Sequence, residues 1–185
     1  MKKVRVALIG CGRVARVHAD ALTALEETEL AAVVDIKPDR AQAFSDHYGV
    51  KGYTDYREVL ELDDVDAVQI ATPHYNHAEI AIAALKAGKD VLTEKPMAIT
   101  VEDMEAMIRT ADECGRTLGV IFQNRYNDAS QAVKKVVEEG KLGAILGTRA
   151  FITWRRTDEY YSESDWKGTW DKEGGGVLID QAIHT

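Results

Sequence analysis

The chain has 185 residues, 45% of them apolar and 29% charged, which is the balance of an ordinary globular protein with enough length to bury a core. A net charge of −8 argues against nucleic acid as the main partner, because phosphate binding needs a basic face. No stretch approaches the roughly 18 apolar residues of a membrane span, and the two cysteines, Cys11 and Cys114, have no Cys or His at metal-ligand spacing, so free thiols in a cytoplasmic protein without a metal centre are expected.

Val4–Gly10 (VRVALIG) reads as a buried strand and Val14–Leu25 as a helix. Leu30–Asp35 (LAAVVD) is a second buried strand. Pro38 opens a helix that Gly49 stops. Tyr53 marks a weak third strand, followed by a short helix in DYREVLE. Val65–Thr72 is a fourth strand, Asn76–Lys86 a helix closed by Gly88, and Val91–Thr93 belongs to a fifth. Thr100 caps the helix VEDMEAMIRTADECG, with Asp103 three residues on, and Leu118–Gln123 is a sixth strand. Strands that alternate with helices and lack polar alternation predict an α/β fold, a doubly wound parallel sheet of Rossmann type, over residues 1–126. Residues 127–185 read as the beginning of an incomplete α+β substrate domain: a helix over Asp128–Glu139, a long strand around Ala144–Trp154, then an aromatic-rich stretch with Trp154, Trp166 and Trp170.

Gly10-Cys11-Gly12-Arg13-Val14-Ala15 is Gly-x-Gly-x-x-Ala between a strand and a helix. Gly10 permits the turn, Gly12 lets backbone approach a pyrophosphate, Ala15 lets helix and strand pack, and the amides around Arg13 and Val14 open a helix N-terminus suited to phosphate. Asp35 ends the second strand about twenty residues on, where a carboxylate binds ribose hydroxyls. It repels a 2′-phosphate, so NAD is expected over NADP, although Lys37 and Arg40 temper that preference. A glycine turn beside a solvated Asp is the bland alternative.

Ligands of open parallel sheets bind outside the carboxyl ends of the strands. Thr72, Pro73, His74 and His77 follow the fourth strand, Glu94-Lys95-Pro96 the fifth, and Gln123 to Tyr126 the sixth. Each alone has an ordinary reading: a solvated ion pair for Glu94 and Lys95, a polar helix start for the histidines. Together along one edge they predict a cofactor crevice that Thr72, Pro73 and His77 also border, with Glu94 and Lys95 facing into it. Asp180 and His184 lie four apart, so a helix would put them on one face. That spacing fits a surface contact, half a metal site with no evident third ligand, or an acid–base pair.

The glycine motif, ATPHYNHAEIAIAALKAGKDVLTEKP and GGGVLIDQAIHT together resemble the Gfo/Idh/MocA oxidoreductases, nearly along the whole chain. The stretch YYSESDWKGTWDKEGGGVLIDQAIH is most similar to members acting on sugars or nucleotide sugars. The resemblance implies a hydride transfer between NAD and a secondary alcohol of a sugar, polyol or nucleotide sugar. It implies Lys95 as the active-site lysine, Asp180 and His184 as its Asp-x-x-x-His pair, and a second domain that often mediates homo-oligomers. His184 is the expected base, Lys95 a donor to the substrate oxygen, and Arg125, Tyr126, Tyr160 and Tyr161 expected lining of a sugar pocket. The alternatives are glycoside hydrolysis through transient NAD oxidation and a non-catalytic dinucleotide-binding module. Family members are longer than this chain, so the chain alone is expected to bind NAD and turn over poorly.

Overall fold

The computed structural model describes residues 2–184. Six parallel strands form one sheet: β1 (Val4–Ile9), β2 (Thr28–Val34), β3 (Lys51–Tyr53), β4 (Ala67–Ile70), β5 (Asp90–Thr93) and β6 (Leu118–Val120), in the order β3-β2-β1-β4-β5-β6. That order reverses direction between β1 and β4, the switch point of a doubly wound Rossmann sheet. The connecting helices are α1 (Ala15–Ala24), α2 (Pro38–Tyr48), α3 (Tyr56–Leu60), α4 (His77–Lys86) and α5 (Val101–Cys114).

Alternate side chains of β1 feed two separate cores. Val6 and Leu8 pack with Ala15, Ala19 and Leu22 of α1 and Phe44 of α2. Ala7 and Ile9 pack with Val68 and Ile70, and through them with Ile80, Leu85 and Met107 on the opposite face. Both faces are therefore covered, which is why the strands read as continuous apolar runs. Helix ends follow their sequence signals. Pro38 begins α2, Gly49 ends it in the left-handed region, and the Thr100 hydroxyl accepts from the Asp103 amide at the start of α5.

The ladder continues one residue past five of the six strand ends. Asp35 N–H donates to Tyr53 O, Gly10 N–H to Val34 O, Ala71 N–H to Ile9 O, Glu94 N–H to Ile70 O and Ile121 N–H to Thr93 O, at 2.7–3.1 Å. Residues 35, 10, 71, 94 and 121 thus share one rim, and the residues that follow them leave the sheet side by side.

Two expectations fail beyond β6. The sixth strand stops at Val120, and Gln123–Tyr126 turn as a 3-10 helix. The long strand expected over 144–154 is absent: α6 (Asp128–Glu138) is followed by irregular backbone up to α7 (Asp158–Ser162). A strand exists only within a ladder, and among the described residues no segment pairs with 144–154. Leu146 and Phe151 there are exposed. The chain then forms α8 (Val177–Asp180) and a 3-10 turn over Ala182–His184. Among the described residues no helix is long and apolar enough to cross a membrane.

Candidate active site

The glycine turn stands at the switch point. Gly10 has φ +98°, and a Cβ on it would lie 2.6 Å from the Ala71 carbonyl oxygen, so only glycine fits. Around Gly12 there is nothing within 4 Å of an added Cβ, so its backbone stays open to a ligand. Among the described residues the amides of Gly12, Arg13 and Val14 have no protein acceptor. Asp35 Oδ2 accepts from the Cys11 amide and Oδ1 from the Lys37 amide, both at 2.9 Å, which fixes the carboxylate beside the turn with lone pairs to spare. The buried Cys11 thiol is pushed up to about 12 by desolvation and then by Asp35, so it stays protonated and inert. Open glycine backbone, free amides at a helix start and a fixed carboxylate are the donor set that a dinucleotide requires.

The rim beyond β4 and β5 is held by buried polar side chains. His77 is fully buried, with Nδ1 2.8 Å from Pro96 O and Nε2 3.0 Å from Thr72 O. The expectation that His77 faces the cofactor is corrected: the buried ring lies between the Thr72–Pro73 loop and the Lys95–Pro96 loop, and burial favours its neutral form, whose single N–H donates to one of the two carbonyls. Glu94 is likewise turned inward. Its Oε1 lies 2.9 Å from His18 Nε2 on α1, and its Oε2 accepts the Lys95 amide at 3.0 Å. Burial, the largest single influence, raises the Glu94 pKa, but the contacts of His18 and Lys95 together outweigh it and hold the carboxyl below its usual range. Of the pair expected in the crevice, only Lys95 projects across the rim.

Lys95 meets the segment beyond residue 156. Its Nζ donates to the Asp180 carbonyl at 2.6 Å and to Asp180 Oδ1 at 3.0 Å, with both side chains about a tenth exposed (12% and 10%). Tyr160 donates its hydroxyl to Asp180 Oδ2 at 3.1 Å, and Gln181 Nε2 donates to the same oxygen. Burial raises the Asp180 pKa, yet Lys95 and these donors more than reverse it, so Asp180 is ionised. Next to Asp180 lies a cavity of about 160 Å³ lined by Tyr161, Trp170, Glu173, Gly175, Asp180 and Gln181.

Asp180 and His184 do not share one helix face, contrary to their spacing. α8 ends at Asp180, Gln181 breaks the helix, and His184 sits on the following 3-10 turn without a hydrogen bond to Asp180. Among the described residues His184 Nδ1 is buried without a partner, and desolvation followed by the Lys95 charge lowers the ring's pKa, so it is neutral at pH 7. The 3-10 turn holding Arg125 and Tyr126 packs near the His184 turn, with both side chains exposed. The two segments are also joined by His74, whose Nδ1–H donates to Glu173 O at 2.9 Å while its ring packs edge-on against Trp166, and by an ion pair between Arg13 and Glu163.

Sequence reasoning missed His18 and Glu173. His18 had a signal: it lies on the apolar stripe of α1 between Ala15 and Leu22, where a polar side chain needs a buried partner. Glu173, with a buried Oε1 that has no hydrogen-bond partner among the described residues, had none, because nothing local places residue 173 under the His74 loop. Among the described residues no three His, Cys, Asp or Glu side chains gather as metal ligands.

Comparison with known proteins supplies the context. The profile of an oxidoreductase family with an NAD-binding Rossmann fold matches residues 4–122, and that of the GFO/IDH/MocA C-terminal domain matches residues 130–185. The chain is 33% identical to a myo-inositol 2-dehydrogenase of Thermotoga maritima, covering 98% of this chain and 52% of that protein. It is 35% identical to a D-glucoside 3-dehydrogenase of Escherichia coli, over 98% of this chain and 51% of that one. The structure superposes with a TM-score of 0.91 on the WlbA dehydrogenase of Chromobacterium violaceum in complex with NADH and UDP-GlcNAcA, at 36% identity over all of this chain and 53% of that chain. The chain spans about half the length of the relatives it matches.

Proposed function

The chain belongs to the Gfo/Idh/MocA family of NAD-binding oxidoreductases, and on that premise we propose that it carries the cofactor site and reacting groups of a dehydrogenase. The substrate is a secondary alcohol of a sugar, polyol or nucleotide sugar, the class named for its relatives. Residues 1–126 bind the dinucleotide and residues 127–185 contribute the substrate side. The observation that carries this reading is the Lys95 ammonium, which leaves the same rim of the sheet as the glycine turn and is held by Asp180 from the second segment.

Bound NAD supplies the hydride acceptor. Gly10, Gly12 and the amides of Arg13 and Val14 hold the pyrophosphate; Asp35 holds ribose hydroxyls and disfavours a 2′-phosphate. Thr72 and Pro73 border the crevice, with Glu94 and His77 behind its wall. Alcohol oxidation must also remove a proton from oxygen. Lys95 donates to that oxygen as charge grows on it, and it is preorganised by Asp180, which needs no rearrangement to do so. His184 takes the proton: burial holds it neutral, the form a base requires. Arg125 and Tyr126, exposed on the turn that packs near His184, meet substrate groups farther from the reacting carbon.

Calorimetric titration with NAD and NADP is expected to show binding, with NAD the tighter. Absorbance at the reduced-nicotinamide band, followed across inositols, glucosides and nucleotide sugars, then identifies the substrate. Lys95→Met is expected to leave NAD binding within a few-fold and lower hydride transfer by about 100- to 1,000-fold. Failure to bind either dinucleotide defeats the reading, as does full turnover by the Lys95→Met variant.

A further inference from the structure

Resting on the reading of Lys95 as the active-site amine, we propose that His18 is a positioning residue: through Glu94 it fixes the backbone from which Lys95 is presented to the substrate. The observations form one chain. Glu94 directly follows β5 and is still tied to the sheet, its amide bonding to Ile70 O at 2.9 Å. Its side chain folds back so that Oε2 accepts the Lys95 amide at 3.0 Å, while Oε1 meets His18 Nε2 at 2.9 Å. The His18 and Glu94 side chains are only 12% and 11% exposed. Immediately beyond Lys95, the Pro96 carbonyl lies 2.8 Å from His77 Nδ1. Lys95 therefore leaves a backbone clamped on both flanks, and one clamp is anchored on α1, the helix that opens from the glycine turn.

Stability alone does not account for the pair. A buried pair of hydrogen-bonded polar side chains gains little over apolar side chains of the same volume, because both groups give up water. What His18 adds is direction. A carboxylate with one oxygen pinned offers the other to a single place, and that place is the Lys95 amide. Without His18, Oε1 has no partner, and Glu94 rotates toward water or takes up a proton. Either change loosens the Lys95 amide, and the Nζ at the end of a four-carbon stem moves with it. The geometry also links the phosphate-binding helix to the amine, so the two halves of the site hold register.

The test uses the full chain without ligand and then with NAD. Hydrogen exchange at the Lys95 amide, read by NMR, is expected to be about tenfold faster in His18→Leu than in the unsubstituted protein. His18→Gln, whose amide N–H reaches a similar point, is expected to restore exchange to within twofold. Glu94→Gln keeps the shape of the side chain without its charge, and is expected to speed exchange several-fold; it decides the matter should His18→Leu fail to fold. In turnover, His18→Leu is expected to lower kcat about tenfold with NAD affinity within twofold, and His18→Gln to recover it. A purely structural role would lower thermal midpoint, NAD affinity and kcat together, with no rescue by glutamine. Lys95 exchange unchanged in both His18→Leu and Glu94→Gln overturns the proposal. Exchange faster as expected in a protein that binds neither NAD nor NADP leaves the positioning intact and counts against the dehydrogenase reading instead.

Discussion

Residues 2–126 and 127–184 obey different rules of construction. In the first region nearly every apolar run is buried, and two cores lie on either side of one sheet. In the second, α6 carries an apolar stripe that includes Val133 and Val137, yet none of its residues is buried, and Leu146, Phe151 and Trp170 are exposed as well. The first region is held by apolar burial. The second is fastened to it largely through polar contacts at one rim: Lys95 with Asp180, His74 with Glu173, Arg13 with Glu163. The reacting groups we assign lie at this seam. A rigid sheet presents the amine, and a segment with little core of its own brings the carboxylate and imidazole to it.

The largest effect that tests this contrast is expected at the glycine turn. Gly10→Ala places a methyl against the Ala71 carbonyl in a left-handed backbone, and is expected to cost about 3 kcal/mol or more in chemical denaturation. Gly12→Ala, two residues on, meets open space and is expected to leave the unfolding midpoint nearly unchanged while weakening NAD binding at least tenfold, because the methyl stands where the pyrophosphate approaches. A stability loss at Gly12 equal to that at Gly10 would show that the turn is packed throughout, with no open face.

The same division decides what was legible in the sequence. The sheet was, because most of its strands carry a short local apolar run and the βα alternation allows few topologies. The rim was, because chemistry-bearing residues recur just after strands. Orientation was not. Glu94 and Lys95 are adjacent in sequence, but one turns inward to His18 and the other outward to Asp180, and only partners 76 and 85 residues away decide which. The Asp180–His184 spacing suggested a helix face, and the break at Gln181 cancels it. For 144–154, β-branched and aromatic residues give a genuine strand signal, but a strand signal needs a neighbour to be realised.

A second, smaller test concerns His74, which seals the seam. Desolvation lowers its pKa to about 4 from an ordinary 6.5, against the Glu173 hydrogen bond that raises it. The folded protein thus favours the neutral ring. The stability it contributes is complete above pH 6.5 and is lost as pH falls toward 4, by about 3 kcal/mol in all. Unfolding free energy measured from pH 7 to pH 4 is expected to drop by that order more in the unsubstituted protein than in His74→Gln, which has nothing to titrate. Equal slopes for the two would mean that acid opens the molecule elsewhere.

The smallest effect is expected at the Arg13–Glu163 pair, although it spans the widest sequence separation of the three fastenings. Its side chains are 71% and 46% exposed, so water and salt screen the attraction, and two flexible chains must be ordered to make it. Arg13→Ala is expected to change the unfolding free energy by less than about 1 kcal/mol, with the difference vanishing in 1 M salt, where the screening length falls to about 3 Å. Lys95→Ala, by contrast, strands Asp180 in a largely buried place, and salt should not erase its cost. A salt-resistant loss at Arg13 as large as at Lys95 would mean that the seam is dry across its full width, and that the second region shares more of the first region's interior than its exposed α6 suggests.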